Sequence, residues 1–423
     1  MKALFSSELK RNAFRLLSAN VLSQFIGLAV YPVVTRLYSP EEFGLFNIFT
    51  TLCGILFVLS TARYEYAIVL PRSTKDAAAL VRLCMRIAFL FSLILLLLII
   101  VFHTQILALF HMESLGILLY LVPLLVVLNA AGLTCMYWFN RLKKFNLVGR
   151  YWMSQNIVNS SLKVVLGAMK YTGSGLIYSY FAGFLAAVCS FFLFVNNEKS
   201  IRLWISVRQE QIRKVAKVYQ NYPKYNLLHA LTNIVSTGFP ILIFGHFFGN
   251  EIVGYYGLAF LIGFRPINLV TTSLYQVLYQ KISDLCNKRQ PVYSLFKRFC
   301  IQATGVLLPS FILIYFISTP VIRYLFGADW IEAASILKIL LPWLGACFIS
   351  GIFEFIPFLF SRQRKALSIE ICYALSRLSA IFIGVYMNDF YISLMAYASI
   401  SFFFKVYQWV WYRKLVRSYE RSR

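Results

Sequence analysis

The stretch Ala88–Phe102 reads AFLFSLILLLLIIVF, fifteen residues with a single hydroxyl and no charge. Comparable runs recur to the end of the 423-residue chain, and apolar side chains follow one another in blocks rather than alternating. A bilayer core takes about 20 apolar residues per helix, so a chain of this length has room for roughly a dozen spans with short connections. Only 13% of the residues are charged, where a soluble domain carries about a quarter. An all-α integral membrane protein is the class these features require.

Twelve spans are expected, at 15–37, 44–70, 87–110, 116–140, 150–171, 175–196, 223–246, 253–280, 298–318, 336–360, 366–387 and 390–412. The net charge of +25 invites a nucleic-acid reading, but the basic residues sit in short clusters between apolar runs, as topology signals do. The N-terminus holds Lys2, Lys10, Arg11 and Arg15, and every second loop afterwards is again basic. One side collects 32 Lys and Arg, the other only Arg36, Lys170 and Arg323. The rich side is expected to be cytoplasmic, with both termini there. The N-terminal stretch lacks a short apolar region ending in small residues, so no removable signal peptide is expected.

Two six-span lobes are expected: an N-terminal one at 1–196, a basic cytoplasmic linker at 197–222 able to form an interfacial helix, and a C-terminal lobe with a basic tail at 223–423. The lobes look related. Ser39-Pro-Glu-Glu-Phe-Gly44 and Gly249-Asn-Glu-Ile-Val-Gly254 each set a glutamate-bearing turn before a glycine that opens an apolar helix. Arg150 precedes Lys163, and Arg364 precedes Arg377, by the same 13 residues. Weak internal repeats of this kind are a transporter design, with the substrate site near mid-membrane.

Charges inside a span usually face protein or water. Lys163, Arg265 and Arg377 fall near mid-depth, and Arg63 nearer the inner end; these are the candidate substrate-binding cations. Lys338 and Lys405 are placed to snorkel. On the fifth span Asn156, Asn159 and Lys163 are spaced i, i+3, i+7, and on the eleventh Glu370, Tyr373 and Arg377 repeat the spacing, giving two polar stripes. One cation from each lobe would suit a diphosphate, and guanidinium suits its oxygens especially well. The competing reading pairs Lys163 within its lobe and Arg377 with Glu370. Glu65, two residues after Arg63, and Glu354 are candidates for proton or sodium coupling or for local ion pairs.

Some chemistry is not expected. The eight cysteines are scattered without a CxxC pair, and the four histidines lack metal-ligand spacing, so neither a metal nor a redox cofactor is anticipated. There is no GxxxxGK[ST] loop for ATP. The outer loops are too short for a catalytic domain, which disfavours a membrane polymerase or transferase, and no catalytic residue is assigned. A cation-coupled exporter of small amphiphiles would want an acidic or neutral cleft, which the mid-depth Lys and Arg oppose.

Local strings narrow the reading further. TRLYSPEEFGLFNIF (35–49) and ARYEYAIVLP (62–71) resemble the opening spans of Wzx-type polysaccharide flippases of the multidrug/oligosaccharidyl-lipid/polysaccharide (MOP) exporter superfamily. MYWFNRLKKFN (136–146), GFPILIFGHFFGNEIVGYYGLAFLIGFRPI (238–267) and LFGADWIEAASILKILLPW (325–343) are similar to the same family. By match, Pro40, Glu41, Gly44, Arg63, Glu65 and Pro71 are its motif positions. The resemblance implies a MATE-like two-lobed bundle working by alternating access in the bacterial cytoplasmic membrane. It also implies an undecaprenyl-diphosphate-linked oligosaccharide of O-antigen, capsule or exopolysaccharide as substrate. A polysaccharide polymerase and a chain-length regulator are the implied protein partners. If the cavity assignment holds, charge reversal at Lys163 or Arg377 abolishes translocation with expression intact; full activity in both variants would remove it.

Overall fold

The computed structural model describes residues 27–194 and 199–421, and within them there is helix, turn and no strand. The basic N-terminal residues and most of the first expected span lie outside the described residues; the described remainder of that span ends in α1, Tyr31–Leu37. Among the described residues ten helical segments are long and apolar enough to cross a membrane. The fifth expected span coincides with α5, Phe145–Ala168, a 24-residue helix that is not among these ten because Gln155, Asn156, Asn159 and Lys163 lower its hydropathy.

Helix α2, Pro40–Leu59, begins where the sequence motif says it should, and for a local reason. Ser39 Oγ accepts from the Glu42 amide at 3.3 Å, and Glu42 Oε2 accepts from the Ser39 amide at 2.8 Å. Pro40 takes the first helical position, where no amide donor is needed. The SPEE string is a capping box. The expected continuation to residue 70 is not found: Ala62 and Arg63 both adopt left-handed backbone (φ 48° and 65°), and Tyr64–Val69 comes next as a 3-10 turn. Arg63 and Glu65 therefore sit on a turn, not on a spanning helix.

Helix α3, Thr74–Leu109, starts well before the expected residue 87 because its first turns are amphipathic rather than apolar. Gly116, at φ 45° and ψ −117°, makes the bend before α4, Leu121–Arg141. Helix α5 packs closely on α6, Gly173–Phe194: a Cβ on Gly183 would stand 2.9 Å from Asn159 Cβ and 3.0 Å from the Gln155 carbonyl. The expected interfacial segment is two short amphipathic helices, α7 (Lys199–Ser206) and α8 (Gln209–Val218). Arg82 of α3 donates to the carbonyls of Ile205 and Val207, and Tyr64 donates to that of Ala216. Ile212 and Val215 join a core with Trp138, Tyr151 and Phe191.

The chain divides into two compact units, Met1–Glu251 and Ile252–Arg423. The first runs past the linker to include α9, Leu227–Phe248, whose Gly238 lies so close to α2 that a Cβ would be 2.9 Å from Thr51 Cγ2. The second holds most of α10 (Asn250–Asn287), then α11 (Tyr293–Phe326), α12 (Ile331–Ile352), α13 (Gln363–Tyr386) and α14 (Phe390–Arg421). Its core gathers Phe296, Phe353, Phe355, Ile356 and Trp411.

The internal repeat is clearest in α5 and α13. Both have 24 residues, and both ends are displaced by 218 positions (363 − 145 and 386 − 168). The left-handed residues that bracket them, Lys143 with Ser361 and Lys170 with Asn388, are also 218 apart and share φ values of 52–61°. In this frame Arg377 is the counterpart of Asn159, and Lys163 that of Ile381. The stripes are thus one helical turn out of register, which the 13-residue spacing does not reveal.

Gly384 tests the packing of α13 on α14. A Cβ there would meet the Ser393 amide nitrogen at 2.2 Å and the Asp389 carbonyl at 2.5 Å, both backbone atoms. Gly384→Ala is expected to destabilise the detergent-solubilised protein by about 1–3 kcal/mol, read as a lowered unfolding midpoint; an unchanged midpoint would contradict this packing.

Candidate functional site

The interior charges are arranged differently in the two units. In the first, Lys163 is buried on α5, and its ammonium lies 4.6 Å from the ring centroid of Phe46 and 5.5 Å from that of Tyr31. Aromatic faces hold a desolvated cation through their quadrupole. The Lys163 carbonyl also accepts from the Tyr38 hydroxyl at 3.0 Å. One and two turns earlier on α5, Asn156 donates to the Trp152 carbonyl, and Asn159 Oδ1 and Gln155 Oε1 are buried without a hydrogen bond among the described residues.

Arg63 and Glu65 form their own pair. Arg63 stands 3.5 Å from Glu65 and donates to the Tyr66 hydroxyl at 3.2 Å. Glu65 is 1% exposed and accepts from Thr61 Oγ1 on its other oxygen. The left-handed backbone at Arg63 lets two residues of neighbouring position turn toward one another, which an unbroken helix would not.

In the second unit the structure brings Glu370, Tyr373 and Arg377 together and adds residues not expected there. Arg377, 4% exposed, donates to the Tyr373 hydroxyl at 3.1 Å and lies over the rings of Tyr373 and Tyr397. Trp343 of α12 donates to the same hydroxyl at 3.3 Å. The competing pairing of Arg377 with Glu370 is not what forms: Glu370 is bound instead by Lys405 at 3.5 Å and Gln408 at 2.6 Å, both from α14. Lys405 does not snorkel away. The signal that would have found it is the Lys405-x-x-Gln408 spacing, which puts two polar groups on one face of the last helix.

Glu354 lies within the candidate span Ala328–Leu359, as expected, but is exposed on a turn there, because α12 ends at Ile352. Arg265 is exposed on α10, next to Pro266 inside that helix. Among the described residues no group of three or more His, Cys, Asp and Glu is placed to hold a metal ion. The arrangement offers positive charge held by aromatic rings in each unit.

The Arg63–Glu65 pair separates structural from transport roles. Arg63→Met leaves a buried carboxylate without its counter-charge and is expected to cost about 3–5 kcal/mol. The double variant Arg63→Met, Glu65→Leu should recover both folding and transport. A double variant that folds but does not transport would instead place one or both members of the pair in the cycle.

Solved structures with the same fold are membrane transporters. One is an inward-facing multidrug resistance MATE family transporter of the MOP superfamily, with a TM-score of 0.72 and 12% identity, covering 94% of this chain and 96% of that one. Another is the lipid II flippase MurJ in an inward closed conformation, with a TM-score of 0.71 and 15% identity, covering 96% and 90%. No curated protein matches the sequence. Residues 33–335 match the profile described as polysaccharide biosynthesis protein. With most of its length inside that match, and the fold of MOP-superfamily transporters beneath it, the chain belongs to the polysaccharide biosynthesis protein family.

Proposed function

We propose that this protein is a flippase for undecaprenyl-diphosphate-linked oligosaccharides, moving repeat units of O-antigen, capsule or exopolysaccharide from the inner to the outer leaflet of the bacterial cytoplasmic membrane. The observation that carries the reading is the polysaccharide-biosynthesis match lying on a transporter fold. The family supplies the process, glycan assembly; the fold supplies the step, passage across a bilayer. A structural relative named as a lipid II flippase is consistent with a lipid-linked glycan as cargo.

The physical task is to carry a charged, hydroxyl-rich head across hydrocarbon while the polyprenyl tail stays in lipid. Unaided, the desolvation of that head is prohibitive. Alternating access provides a polar route, and Arg265, exposed on a spanning helix, is assigned to meet phosphate oxygens there. Lys163 and Arg377, buried within their own units, act on the field along that route. The protein makes and breaks no bond of its own and delivers its cargo to a polymerase and its chain-length regulator at the outer face.

A cation-coupled exporter of small amphiphiles would need interior carboxylates open to a cationic ligand. Glu65 and Glu370 already hold Arg63 and Lys405.

The deciding measurement is mass spectrometry of polyprenyl-linked oligosaccharides in cells lacking this gene. Complete repeat units are expected to accumulate on the cytoplasmic leaflet. Truncated units, or complete units already outside, would make the protein part of assembly or polymerisation instead.

A further inference from the structure

Lys405 and Gln408 lie one turn apart on α14, and Glu370 of α13 meets both. The Lys405 ammonium donates to Gln408 Oε1 at 2.9 Å, stands 3.5 Å from Glu370 Oε1, and lies 4.9 Å from the ring centroid of Tyr373. Gln408 Nε2 donates to the same carboxylate oxygen at 2.6 Å, which fixes the donor set around the ammonium. Carboxylate oxygen, amide oxygen and aromatic face are together what a hard monovalent cation seeks. Here the positive charge reaches that place on a side chain rather than from solution.

We propose that α13 and α14 form a monovalent-cation seat that Lys405 fills permanently, so that the working cycle neither loads nor releases an alkali ion there. A tethered ammonium neutralises Glu370 as a bound ion would, but it cannot exchange with either side of the membrane and so cannot draw on an ion gradient. Glu370 is 41% exposed, so once the lysine is removed its carboxylate is open to a small cation. Nothing in this inference depends on which lipid the protein carries.

The test uses the purified full-length protein, with unfolding midpoints measured at equal ionic strength in choline, sodium, potassium and methylammonium chloride. The wild-type midpoint should be the same in all four. Lys405→Ala should fall in choline and regain part of the loss in methylammonium or in one of the alkali salts. Lys405→Gln, which keeps a hydrogen bond to Glu370 and folds more readily, should respond in the same direction to a smaller degree. With both charges removed, in Lys405→Met, Glu370→Met, the cation response should vanish. Either of two results overturns the seat: no cation response in both single variants, or a wild-type gain in sodium as large as theirs.

Discussion

Within hydrocarbon a peptide group has no water to bond, so each spanning segment must satisfy its own amides, and only a helix does that locally. The architecture obeys this constraint. Phe102 and Pro266 interrupt α3 and α10 from within, while at helix ends the breaks are built from residues that take left-handed backbone: Lys143, Lys170, Ser361 and Asn388 bracket α5 and α13 at matched positions. Where α2 must start cleanly, Ser39 and Glu42 satisfy amides that the first turn leaves open.

The same scarcity of water governs the interior charges. A cation in such surroundings needs an electron-rich neighbour, and the two units find it in different ways. Lys163 relies on aromatic faces, whereas the second unit assembles Tyr373, Arg377, Lys405, Gln408 and Glu370 into one connected group. Tyr373 ties that group together, since its hydroxyl accepts from Arg377 and Trp343 while its ring faces two cations. Aromatic residues here do electrostatic as well as apolar work.

Much of the fold was legible because apolar length is a one-dimensional property: runs such as Ala88–Phe102 say helix without reference to anything distant. The repeat was legible in outline for the same reason. The misreadings have a common cause. Residues 61–70 are apolar enough to pass for helix, yet backbone sign at Ala62 and Arg63 ends it. Depth along the chain placed Lys405 near a membrane surface; the Lys405-x-x-Gln408 spacing marks a polar face, but not that its partner Glu370 comes from a helix more than thirty residues away. The competing pairing of Arg377 with Glu370 rested on their nearness on one helix, whereas Arg377 bonds Tyr373 and lies over Tyr397 of the next helix, a neighbour that spacing along α13 does not reveal.

Helix α5 is too polar to be retained by lipid on its own account. With a lysine and two asparagines on its middle turns, its insertion is opposed by a few kcal/mol for the lysine alone on translocon scales. Its close fit against α6 at Gly183 resolves the difficulty if the two leave the translocon as a hairpin, polar groups turned inward from the start. A ribosome that stalls between them would strand α5 without its partner. Made that way, the order of synthesis becomes part of how this bundle is built: a polar helix waits for the one behind it before either settles in the membrane.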